Sequence, residues 1–219
     1  MINFIKSSIG KKFLMALSAI FLMIFLIQHL FINFLSVISP ELFNEISHFM
    51  GTNIIIQFIM QPILIFSIIF HFLMGMILEI KNQKSRGKNK YFIKNDQNSW
   101  ISKNMIFSGL AILNFLIIHL IDFWIHEIDI KYIHPILYEK NRYYVELTDK
   151  FHNIWRVIAY VIAFIFLGLH LSHGFKSSFQ SIGVQRNKYR FFIEKIGILY
   201  SIFIPFGFCF IALYHFFNK

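Results

Sequence analysis

Read as a string of apolar and polar positions, the 219-residue chain divides into five long apolar runs. They cover about 13–38, 55–80, 104–126, 153–175 and 195–217, each near the ~20 residues needed to cross a bilayer core. None alternates as a barrel strand would. A segment in hydrocarbon must satisfy its own backbone hydrogen bonds, so all five are expected to be helices. The pattern predicts an all-α integral membrane protein: a single membrane domain with five transmembrane helices, four of them a bundle and the fifth alongside. No stretch repeats strongly enough to suggest duplicated halves. The start, with Lys6, Lys11 and Lys12, leads into an apolar run too long for a signal h-region and without a small-residue cleavage site, so the first helix is expected to stay in the mature protein.

Composition strengthens this reading. With 57% hydrophobic residues, 29 Phe and a mean hydropathy of +0.60, an ordinary soluble domain is excluded. The lone cysteine, Cys209, lies in an apolar run, which leaves no disulfide framework, no CxxCH haem attachment and no thiolate cluster. Any metal would therefore be held by histidine.

Charge orders the loops. Lysines precede the first helix; Lys81, Lys84, Arg86, Lys88, Lys90, Lys94 and Lys103 follow the second; Lys176, Arg186, Lys188, Arg190 and Lys195 follow the fourth. The first loop, SPELFNEISHFMGTN, has no Lys or Arg, and the third mixes both signs. The positive-inside rule then predicts a cytoplasmic N-terminus and an external C-terminus. The net charge of +10 follows from topology, anionic lipid or a docked soluble partner, and no nucleic acid is needed to explain it.

Four of the apolar runs each hold one histidine: His29 in FLIQHL, His71 in IIFHFLMG, His119 in FLIIHLIDF and His170 in FLGLHLSHGF. An ionisable group at that depth is a functional hypothesis by default. At about 1.5 Å per helical residue, His29 lies ~26 Å from Lys12 and His119 ~24 Å from Lys103, while His71 lies ~15 Å from Lys81 and His170 ~9 Å from Lys176. The four thus fall at two levels, an outer pair (His29, His119) and an inner pair (His71, His170). Two stacked axial pairs are what two haem b groups require.

Gly75 and Gly174 each follow an inner histidine by one helical turn, where a flat macrocycle can lie against the helix; glycine also serves plain helix packing. His173 is a rival ligand beside His170. His48, His126, His134, His152 and His215 fall in outer loops or at helix ends, where histidine usually has no special duty. The competing reading of the histidines is a haem-free membrane anchor or transporter, with imidazoles as proton relay or helix glue. Against a proton path, Asp122 and Glu79 are expected near helix ends, leaving the midplane without carboxylates.

FLIQHL followed by ELFNEISHFM, then FHFLMG, the third-helix histidine and HLSHGF, resembles the cytochrome b membrane subunit of succinate dehydrogenase and quinol:fumarate reductase, in its five-helix, di-haem form. The resemblance spans essentially the whole chain and fills all four axial positions of that pattern. It implies two haem b groups ligated by His29, His119, His71 and His170, and flavoprotein and iron–sulfur partner subunits on the cytoplasmic face. It also implies an inner-membrane location and electron exchange with menaquinone or another quinone. The basic loops at 81–103 and 176–195 are then the expected docking floor. Glu41, Glu45 and His48 are candidate quinone or proton groups, and Arg156 a candidate partner for haem propionates. The cytochrome b subunit of a hydrogenase or formate dehydrogenase shares the same haem logic and stays open.

Overall fold

The computed structural model describes residues 7–86, 105–134, 139–184 and 187–218. Among them there are helices and short connections but no strands. Five helices are long and apolar enough to cross a membrane, and two short ones join them. In chain order they are α1 (Ser8–Ile38), α2 (Pro40–Thr52), α3 (Gln61–Arg86, entered through a π-helical stretch, Ile56–Met60), α4 (Met105–His119), α5 (Arg142–Phe151), α6 (Ile154–Ser181) and α7 (Asn187–Phe217). The α4 helix runs on through wider π turns to Ile133.

The helices outrun their apolar cores mainly at the basic ends. Polar residues such as Lys81 and Lys84 continue α3 as readily as leucine would, because helix propensity does not stop where hydropathy does. The prolongation of α4 past residue 126 has another cause. Two π stretches, Leu120–Ile125 and Asp129–Ile133, keep the backbone helical through polar positions.

The first and third loops hold helices that the hydropathy pattern does not show. Ser39 ends α1 and starts α2: its hydroxyl oxygen accepts the Leu42 N–H at 3.2 Å, and Pro40 takes the first turn with Glu41. The amphipathic α5 packs against α2, and the Asn44 side chain accepts the Tyr144 N–H at 2.8 Å. A charged clasp closes this end. Glu127 pairs with Lys131 at 2.7 Å and with Arg142, while Arg142 also reaches Glu146 at 2.7 Å and Lys131 bonds the Gly51 carbonyl. Burial opposes the charge on Arg142, but its hydrogen bonds to Glu146 and Glu127 win and hold the guanidinium above its ordinary range.

Packing is uneven. α7 lies along α6 and α1, and this side holds the dense core, including Leu30, Val157, Tyr160, Ile204, Phe208, Ile211 and Ala212. Close approach is bought by glycine: a Cβ on Gly207 would sit 2.9 Å from the Leu30 side chain. α1 also neighbours α3, and α4 neighbours α6 and, more briefly, α3. No residue of the apolar window in α3 is buried, so that helix stands half apart from the rest.

Candidate functional site

The neighbour relations place α1, α3, α4 and α6 in a ring, with α1 opposite α4 and α3 opposite α6. The histidines meet across both diagonals. His29 and His119 have ring centroids 5.7 Å apart at 87°, and His71 and His170 are 6.2 Å apart at 71°. All four imidazoles are half-buried. Two imidazole nitrogens each ~2 Å from one metal put their ring centroids roughly 6 Å apart, so both pairs stand near the span of a shared axial metal.

The two pairs have different walls. Around the first, Phe25 stacks on His29 at 5.3 Å and Phe115 on His119 at 5.7 Å, each from one turn earlier on the same helix, and Phe208 of α7 lies 5.7 Å from His29. The second pair has hydroxyls. Ser18 Oγ lies 3.2 Å from His71 Nδ1, and Ser108 Oγ lies 3.3 Å from His170 Nδ1. The methyl of Met15 lies over Gly75 and that of Met105 over Gly174, where added Cβ atoms would meet them at 3.4 and 3.5 Å.

These contacts expose a repeat that hydropathy conceals. Met15, Ser18, Phe25 and His29 on α1 match Met105, Ser108, Phe115 and His119 on α4, position for position, and FLIQHL matches FLIIHL. His71 and Gly75 on α3 match His170 and Gly174 on α6 in the same way. Each histidine pair joins equivalent positions of two helix–short helix–helix units. The expectation of no repeat therefore fails, because the shared positions are sparse and the apolar residues between them vary.

The donor set fits haem better than a bare ion. Among the described residues, no three His, Cys, Asp or Glu side chains gather as a metal site. Two opposed imidazoles suit a macrocycle that brings its own four nitrogens. No described residue hydrogen-bonds the buried His119 Nδ1, so none fixes which ring nitrogen of His119 carries the proton. The methionine tips over Gly75 and Gly174 are flexible enough to yield space beside the second pair.

Of the remaining candidates, Glu41 and Glu45 are exposed on α2, and His48 packs against the Tyr143 ring at 6.4 Å. Arg156 lies 3.2 Å from Asp122 through one guanidinium nitrogen. Asp122, expected at a helix end, is 2% exposed one turn beyond His119 and accepts the Tyr160 hydroxyl at 2.9 Å. His215 is likewise no idle end residue: it is 1% exposed and bonds Ser36 across α7 and α1 at 2.8 Å. His173 is half-buried beside the second pair. Of the basic loop residues, Lys88, Lys90, Lys94, Lys103 and Arg186 lie outside the described residues.

Compared with known proteins, the chain matches no family model, and no curated protein or solved structure matches it.

Proposed function

We propose that this chain is the cytochrome b membrane anchor of a succinate dehydrogenase or quinol:fumarate reductase, holding one haem b between His29 and His119 and a second between His71 and His170. The observation that carries the reading is the double pairing of equivalent histidines across both diagonals of the helix ring. In this reading α1, α3, α4 and α6 are the haem-binding bundle of an inner-membrane protein, with α7 as the fifth helix. The basic helix ends face the cytoplasm and receive the flavoprotein and iron–sulfur subunits, and menaquinone or another quinone exchanges electrons with the complex.

Each bound haem supplies a one-electron couple that needs no proton or hydride chemistry from the chain. His29, His119, His71 and His170 would hold the haems, and Phe25, Phe115 and Phe208 wall the first pair with apolar surface. A dry, apolar shell of this kind sets the potential of an iron centre as much as its ligands do. Asp122 is already neutralised by Arg156 and bonded by Tyr160, so it adds no uncompensated charge near His119.

Alanine at each histidine in turn tests the pairing. His29→Ala and His119→Ala are expected to remove the same haem, and His71→Ala and His170→Ala the other, as read by optical and EPR spectra of the purified complex. Four variants with indistinguishable spectra would reject the pairing. Co-purification with a hydrogenase or formate dehydrogenase subunit would keep the haems but replace the succinate assignment.

A further inference from the structure

We infer that Ser18 and Ser108 are positioning residues that fix the ring tautomer and orientation of His71 and His170 and thereby set this haem apart from the one between His29 and His119. The inference rests on the di-haem reading above. Each serine hydroxyl has one hydrogen, and in both cases a backbone carbonyl one turn earlier takes it: Ser18 donates to the Met15 carbonyl at 2.8 Å, and Ser108 to the Met105 carbonyl at 2.9 Å. The oxygen that faces Nδ1 is then left as an acceptor, at 3.2 Å from His71 and 3.3 Å from His170. Nδ1 must carry the proton, so each ring leaves its Nε2 lone pair for a metal. The same carbonyl–hydroxyl–imidazole chain occurs twice, at equivalent positions of the two repeated units, which makes an accidental contact a poor explanation. Among the described residues the first pair has no such chain at His119, whose buried Nδ1 meets no hydrogen-bond partner there.

A hydrogen bond accepted from Nδ1–H raises the basicity of the ligating nitrogen, which favours the oxidised metal and tightens binding. The serines should therefore lower the potential of the His71/His170 haem and strengthen its retention. Ser18→Ala and Ser108→Ala, singly and together in the assembled complex, test this by redox titration and low-spin ferric EPR. The expected result is a higher midpoint potential and an altered EPR signal for that haem alone, with its retention weakened about tenfold. Ser18→Thr and Ser108→Thr, which keep the hydroxyl, should restore both. Ser172→Ala, which removes an exposed hydroxyl that donates to the Leu169 carbonyl of its own helix, should change neither. If the alanine variants fail to accumulate, Ser18→Cys and Ser108→Cys carry the test, since sulfur is nearly isosteric and a weak acceptor. An unchanged potential in the double variant, or equal shifts in both haems, overturns the inference. A wild-type complex without haem overturns the di-haem reading itself.

Discussion

Asp122 shows how a single side chain changes its meaning once its surroundings are known. In the string IIHLIDFW it reads as a polar residue near the end of an apolar run. In the fold it is 2% exposed, with Tyr160 at 2.9 Å and Arg156 at 3.2 Å. The carboxylate survives burial because both oxygens find partners. Tyr160→Phe removes this neutral donor and leaves a buried oxygen short of a hydrogen bond, at a cost of about 1–3 kcal/mol. Thermal unfolding of the detergent-purified protein checks this, and an unchanged midpoint would mean that Arg156 alone satisfies the carboxylate. His215 and Ser36 teach the same lesson, for nothing in a single helix tells that a histidine near its end will face a serine 179 positions away.

At the scale of elements, the long helices were readable because a span in lipid needs a long apolar run, and the four histidines stood out against it. The α2 helix was also readable, and missed: Ser39, Pro40 and Glu41 are a start signal that the polar character of the loop masked. The Ser18–His71 and Ser108–His170 contacts were not readable, since they join different helices and depend on rotation about each axis. The start of α2 carries a pH dependence. Its own backbone N–H and then the Ser39 hydroxyl hold the Glu41 carboxyl below the usual range. The folded value is the lower one, so the contribution to α2 is complete above the unfolded carboxylate pKa of about 4.3 and is lost as pH falls through the folded value. Hydrogen exchange at the first turn of α2 should quicken over that acid range, and Glu41→Gln should abolish the dependence. α2 also bears the quinone candidates. A carboxylate or imidazole beside a quinol takes protons by general-base action. Replacing Glu41, Glu45 and His48 singly, with both haems verified spectroscopically, should lower quinone-linked turnover in at least one variant, whereas full turnover in all three would remove α2 from the reaction.

At the scale of the whole molecule, the described residues form two repeated units, each a long helix, a short helix and a long helix, closed on one side by α7. That side is tightly packed, while α3 buries none of its apolar window, an asymmetry that a pair of bound macrocycles between the diagonals would offset by covering the inner faces of the ring. Haem loss is accordingly expected to loosen α3 before α6 or α7. Everything in the proposed function turns on two haems held by two histidine pairs. The most direct measurement is the haem-to-protein ratio of the purified complex, taken with its reduced-minus-oxidised spectrum: the account predicts two b-type, six-coordinate low-spin haems per chain, and a ratio of one or zero would contradict it.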